Sequence, residues 1–271
     1  MDPPRRKPRV LLFDIGGVCV VSPFQAILDY EKSIGIPPGW VNSSISASGH
    51  DGAWQKLERG EILCDEAFFS GFKRDLTDEK RWRAFCVRQP GLDQNNLPPV
   101  PNIDAEWLYW EMMRIARAPD PHMYPALKRL RAVANKSEGR LIIAALSNTS
   151  IFPVGHPFTD ETTPEGQQNK ELKSLFDLFI SSAHVGMRKP DENIYRYAIT
   201  RVHEYAKTTF PNDLGVRPGD IVFLDDIGAN LRTAKNLGMG TIKVQLGRAD
   251  KAVTELEKIM GLDLQDQKAK L

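Results

Sequence analysis

The chain has 271 residues, 41% hydrophobic and 26% charged, with 36 Lys and Arg set against 35 Asp and Glu. A formal net charge of +1 excludes the strongly basic field by which proteins hold nucleic acid or anionic lipid, and no apolar run approaches the roughly 18 residues of a membrane span. The length suits one large domain or one domain carrying an insert, and three cysteines, Cys19, Cys64 and Cys86, form neither a disulfide framework nor a metal-ligand spacing, which points to a reducing compartment.

The opening MDPPRRKPR is basic and proline-rich and reads as a short tail. Val10 to Phe13 is a short apolar run stopped by Asp14, with Gly16 and Gly17 close behind, and predicts a buried strand. Residues 24–115 have a different texture. Segments such as AWQKLERGEI (53–62) and DEAFFSGFKRDL (65–76) place apolar residues three to four apart, as helices do. Residues 88–104, rich in Pro and Asn, read as a long loop.

From Tyr124 the pattern alternates. A helix over PALKRLRAVA precedes the apolar run LIIAAL (141–146), and a loop with Pro, Gly and Thr covers about 150–168. A helix near 170–176, a strand in FDLFIS and a helix over about 191–206 follow. Then come a strand in IVFLDD (221–226), a helix in ANLRTAKNLG, a strand in TIKV and a last helix over about 250–260. Strands alternating with helices imply a parallel sheet covered on both faces, and such sheets bind ligands at the carboxyl ends of their strands. The reading is therefore an α/β core interrupted after its first strand by a helical insert lying over those ends. The core is 1–22 and 116–271; the insert, a cap, is 23–115.

Reactive groups recur where apolar runs stop. The first run ends at Asp14, the second at Ser147 and Asn148, and the last at Asp225 and Asp226. In GMRKPDENIY, Lys189 precedes Pro190, which suits the first turn of a helix. If these strands are neighbours, three carboxylates, an ammonium and a hydroxyl converge. Three clustered carboxylates do not all stay ionised without a cation, and a hard divalent cation with oxygen ligands, Mg²⁺ above all, suits such a set when phosphate shares it. Asp14 would then attack phosphorus as a nucleophile, with Lys189 and Mg²⁺ offsetting charge on the phosphoryl oxygens and Ser147 holding one of them. Taken singly, each group has a plainer reading: Asp14 or Asp225-Asp226 as helix N-caps, Ser147-Asn148 as a loop, Lys189 as a surface lysine. Their order and spacing together favour the site.

LLFDIGGV, ALSN, VGMRKPDENIY and VFLDDIGANLRTAKNLGM resemble the four motifs of the haloacid dehalogenase-like (HAD-like) hydrolases. The resemblance runs from Val10 to about Gly261. FLDDIGANL and VGMRKP are similar to the N-terminal phosphatase domain of soluble epoxide hydrolases and to the related domain fused to some acyl-CoA dehydrogenases, and LERGEI followed by DEAF resembles the helical cap of that branch. The resemblance implies a Rossmann-like core with an α-helical cap. It implies Mg²⁺ held by Asp14, the backbone carbonyl of Gly16 and the last acids, with Asp226 a direct ligand and Asp225 a ligand or water-mediated partner. It implies phosphate contacts from Ser147, Asn148 and Lys189, and a small organic phosphate as substrate. Epoxide hydrolysis is not implied, because that chemistry belongs to a separate domain.

One position departs from the pattern. Most phosphatases of this superfamily carry a second Asp where Gly16 stands, as the proton donor to the leaving oxygen and later the base toward water. Gly16 still offers its carbonyl to a metal but cannot move a proton, a function worth roughly 10²–10⁴-fold, or about 3–5 kcal/mol of barrier. His50 and Asp51 are candidate substitutes, although polar residues in such loops are mostly solvated. Two other readings stand beside the phosphatase: a non-catalytic relative that binds a phosphorylated ligand or a partner, and a dehalogenase, for which the missing acid would be harmless but the Asp225-Asp226 pair superfluous. The final Ala269-Lys270-Leu271 resembles the Ser-Lys-Leu peroxisomal address, giving an expected location in cytoplasm or peroxisome.

Overall fold

In the computed structural model, residues 7–137, 141–210 and 213–265 are described; the terminal tripeptide lies outside them. Strand β1 (Val10–Phe13) is followed by six helices, α1 (Phe24–Ser33), α2 (Trp40–Ala47), α3 (Ala53–Glu58), α4 (Glu66–Leu76), α5 (Glu79–Cys86) and α6 (Ala105–Ile115). The alternating part then runs α7 (Met123–Lys136), β2 (Ile142–Ser147), α8 (Pro164–Ser174), β3 (Leu178–Ser181), α9 (Ser182–Val185), α10 (Glu192–Thr209), β4 (Ile221–Asp225), α11 (Gly228–Asn236), β5 (Gly240–Lys243) and α12 (Ala249–Met260).

The five strands form one sheet in the order β3-β2-β1-β4-β5, every pair parallel. This is the expected α/β, Rossmann-like core. Alternate residues of each strand serve opposite faces. Leu11, Phe13, Ile143 and Leu224 pack with α7 and α12, whereas Leu12, Ala144, Leu146 and Phe223 pack with α10 and α11. Burial on both faces explains why the central strands read as unbroken apolar runs rather than as alternating ones. Helices α1–α6 have an apolar cluster of their own, built around Trp40, Phe68, Phe72, Trp82 and Tyr109.

Three boundaries differ from the sequence reading. The helix expected over 53–62 stops at Glu58, because Gly60 takes a left-handed φ of 67° and lies so near Ala183 that a β-carbon there would sit 2.1 Å from its carbonyl oxygen. Helix α8 begins at Pro164, inside the stretch read as loop, because Thr163 accepts a hydrogen bond from the Gly166 N–H and proline suits the first helical position. Pro190 does not open α10: the helix starts at Glu192, with the Asp191 carboxylate accepting from Asn193 N–H as its N-cap.

Candidate active site

β1 is the central strand, so its end lies between the ends of β2 and β4. Asp14 is the next residue, and its N–H donates to Leu224 O at 2.9 Å, which continues the β1–β4 ladder by one step. Ser147 closes β2 and Asp225 closes β4. The parallel register thus brings Asp14, Ser147, Asp225 and Asp226 to one edge, as the strand-end argument requires.

Lys189 arrives from the loop before α10. Asn148 fastens that loop: its Oδ1 accepts from Lys189 N–H at 2.8 Å and its Nδ2 donates to Lys189 O at 3.0 Å. The lysine side chain, 1% exposed, donates from Nζ to Asp14 Oδ1 and to Asp225 Oδ2, each at 2.8 Å. Asn148 therefore spends both ends of its amide on positioning Lys189. Ser147 Oγ makes a long contact, 3.4 Å, with Asn148 O.

Asp225 is fully buried and heavily engaged. Its Oδ1 accepts from Ile227 N–H at 2.7 Å, and Asn230 Nδ2 lies 3.0 Å from both carboxylate oxygens. Asn230, on the first turn of α11, was not singled out from the sequence. Its signal is the spacing DDIGAN, which puts an amide one helical turn beyond the acids. The site also depends on Gly17, whose role the sequence left open. With φ at 76°, a β-carbon there would lie 2.5 Å from an Asp226 carboxylate oxygen. Gly16 is different: its β-carbon would meet only Pro23 Cδ, at 3.9 Å.

The charges do not balance within the protein. Asp14, Asp225 and Asp226 each place a carboxylate oxygen within 4.8 Å of the others, with one buried ammonium among them. Burial, reinforced by Asp225, raises the Asp226 carboxyl to about 6. Burial also holds the Asp14 carboxyl well above the ordinary range, and Asp225 and Asp226 add to this against the pull of Lys189. Burial alone would lower Lys189, but Asp14 and Asp225 outweigh it and keep the ammonium charged. Three oxygen donors with surplus negative charge fit a hard divalent cation.

These groups floor a cavity of about 1010 Å³. Its other walls come from the helical insert and the segment after β2, and include Phe24, Ile27, Trp54, Met112 and Phe152. Glu58, at the end of α3, joins the two sides: its Oε2 accepts from Arg188 Nε at 2.6 Å and from Asn148 Nδ2 at 3.4 Å, and its carbonyl accepts from Ser182 Oγ at 2.6 Å. Neither Glu58 nor Arg188 was read as functional, since nothing local distinguishes them from surface charge. His50 lines the cavity mouth with its side chain 78% exposed, and Asp51 beside it is 88% exposed.

No family model matches the chain. Bifunctional epoxide hydrolase 2 of Mus musculus is 36% identical over 254 residues, which is 93% of this chain and 39% of that protein. Acyl-CoA dehydrogenase family member 10 of Mus musculus is 27% identical over 259 residues, 96% of this chain and 20% of that protein. The chain thus spans well under half the length of these relatives. Among solved structures, a predicted HAD-like family hydrolase from Porphyromonas gingivalis aligns with a TM-score of 0.52 at 20% identity, covering 93% of this chain and 98% of that one. A dehalogenase solved with an intermediate complex aligns with a TM-score of 0.53 at 17% identity, covering 95% and 99%. The resemblance drawn from the motifs is thus accompanied by a likeness in fold to solved HAD-like hydrolases and dehalogenases over more than nine-tenths of the chain.

Proposed function

We propose that the chain is a Mg²⁺-dependent phosphatase-type hydrolase that acts on a small organic phosphate through an aspartyl-phosphate on Asp14. The observation that carries this reading is the buried Lys189 ammonium, 2.8 Å from Asp14 and from Asp225, beside a third carboxylate at the floor of a large cavity. Asp14 Oδ1 is held by Ile15 N–H at 2.7 Å and by Lys189, which leaves Oδ2 as the attacking atom. Fixing one oxygen orients the other, so part of the entropy of attack is met before substrate arrives. Lys189 offsets charge on the transferring phosphoryl group while its loop is pinned by Asn148. Ser147 Oγ, with only its long contact to Asn148, is the donor to a phosphoryl oxygen.

Asp14, Asp226 and the Gly16 carbonyl would hold Mg²⁺. Asp225, already occupied by Lys189, Asn230 and Ile227, would support that set by orienting its neighbours. A bound Mg²⁺ supplies Lewis-acid neutralisation of the phosphoryl oxygens. The helical insert serves as a cap that closes over the reacting group, and the apolar residues it contributes suit the organic part of the substrate.

The dehalogenase reading is weaker. Displacement at carbon needs no cation, and Asp226 would repel a haloacid carboxylate. The test is phosphate release from p-nitrophenyl phosphate and a panel of phosphomonoesters, with and without Mg²⁺. Mg²⁺-dependent turnover lost in Asp14→Asn supports the reading. No such turnover across the panel, or halide release from 2-haloacids, overturns it.

A further inference from the structure

We infer that the substrates are phosphate esters of acidic hydroxyls, or acyl phosphates, whose leaving oxygen departs as a stabilised anion; simple alkyl phosphates are poor substrates. This rests on the phosphatase reading and concerns the leaving group alone. An alkyl phosphate expels an alkoxide, which needs a proton from an acid within about 2.6–3.2 Å. An aryl, enol or acyl phosphate does not.

Among the described residues, the cavity walls supply no such acid. The wall beside Asp14 is Ile15, Gly16, Val20, Pro23, Phe24 and Ile27, none with a titratable side chain. Of the ionisable side chains elsewhere in the lining, all but the solvent-exposed His50 are committed. Glu58 is paired with Arg188 at 2.6 Å, and Arg59 with Glu61 at 2.6 Å. Arg117 lies over the Phe158 ring at 4.0 Å. Asp191 caps α10, Lys189 bridges two carboxylates, and Asp226 belongs to the proposed cation site. His50 sits in solvent at the mouth. Nor is the missing acid a matter of space. Gly16 has no left-handed φ, and a side chain there would meet only Pro23, at 3.9 Å. That open volume is left to the leaving group.

The first step balances without a protein proton. An Asp14 oxygen forms a bond to phosphorus, the ester P–O bond breaks, and its electron pair leaves on RO⁻. In the second step water attacks phosphorus, the P–O(Asp14) bond breaks, the carboxylate is restored, and both water protons leave on dihydrogen phosphate. Overall, ROPO₃²⁻ and H₂O give RO⁻ and H₂PO₄⁻.

The test is kcat/KM for a series of substituted phenyl phosphates extended to alkyl phosphates, at fixed Mg²⁺. The wild type should fall steeply as leaving-group pKa rises, with kcat levelling among the best leaving groups because they share the second step. Gly16→Asp should flatten the line and raise alkyl phosphates by about 10²-fold or more; Gly16→Asn, of the same shape without the acid, should not. Glu58→Gln and His50→Gln should leave the slope as it is. A shallow wild-type line overturns the inference alone. A line that steepens in Glu58→Gln or His50→Gln also overturns it, by identifying the proton donor. Absence of turnover with every member removes the phosphatase reading and this inference with it.

Discussion

Gly17 and Asp226 occupy the same corner of the site, and the glycine is small because the acid is there. A β-carbon at Gly17 would stand 2.5 Å from one Asp226 carboxylate oxygen and 2.9 Å from its carboxyl carbon. The paired glycines after Asp14 thus have separate causes. Gly17 answers to sterics and to a left-handed φ of 76°, whereas no contact or strain requires Gly16.

That separation is measurable. Gly17→Ala combines a left-handed alanine, costing about 1–2 kcal/mol, with displacement of Asp226. It should lower stability by at least that amount in urea unfolding and weaken Mg²⁺ binding in calorimetry. Gly16→Ala should change stability by no more than about 0.5 kcal/mol. Equal effects from the two alanines would refute the assignment.

The carboxylates also set a pH dependence. Asp226, with an ordinary pKa of 3.8, titrates at about 6 in the fold, and Asp14 is raised as well. A folded carboxyl with a raised pKa holds a proton that the unfolded chain has released, so stability falls as pH rises, here from about 4 to about 6 and further on account of Asp14. A bound cation removes the cause. The difference in melting temperature between Mg²⁺-loaded and chelator-treated protein should widen from pH 5 to pH 7.5, and Asp226→Asn should narrow it. A gap constant across that range would show that the three acids do not share a cation.

The core was legible because its signals are local. Apolar runs ending in Asp14, Ser147 and Asp225 are strands buried on both faces, and a parallel sheet brings such ends to one edge. Other features depend on tertiary contact. Glu58 and Arg188 are 130 residues apart and look like surface charges until the fold pairs them. Likewise, AWQKLERGEI keeps helical periodicity past the point where Gly60 must turn to pass Ala183. Asn230 and the Thr163-Pro164 helix start do have local signals, in spacing and capping, but the stronger motif and loop signals beside them mask these.

The joint between the helical insert and the core should be sensitive at Gly60. Any side chain there collides with backbone, the Ala183 carbonyl at 2.1 Å, and φ is 67°. Backbone yields less readily than a side chain, so Gly60→Ala should cost more than the 1–2 kcal/mol or so of left-handed strain alone. It should also displace Glu58 from Arg188 and raise KM for phosphate esters. Glu58→Ala should raise KM in the same direction at lower cost in stability. Urea unfolding and steady-state kinetics on both variants separate these effects, and a Gly60→Ala protein with native KM would show that the joint does not shape the site.

Lys189→Met tests whether the buried ammonium is structural as well as chemical. The substitution keeps most of the side-chain volume but leaves Asp14 and Asp225 buried without their shared counter-charge, and stranding a buried charge this way costs about 3–5 kcal/mol. The sign with pH follows from linkage. In the wild type the Lys189 pKa is raised by its two carboxylates, so its contribution is fully present below the ordinary lysine value of 10.5 and is lost only as pH climbs through the higher folded value. Across pH 5–8 that contribution is constant. In the variant, Asp14 loses the partner that favours its ionised form, so its folded pKa rises further and stability falls more steeply as pH increases. The deficit of Lys189→Met relative to wild type should therefore be smaller at pH 5 than at pH 8, with both proteins free of metal. Lys189→Arg retains the charge but not the compact ammonium that reaches two carboxylates at 2.8 Å. It should recover part of the stability and little of the proposed phosphatase activity. A deficit independent of pH would mean that Lys189 contributes packing rather than charge.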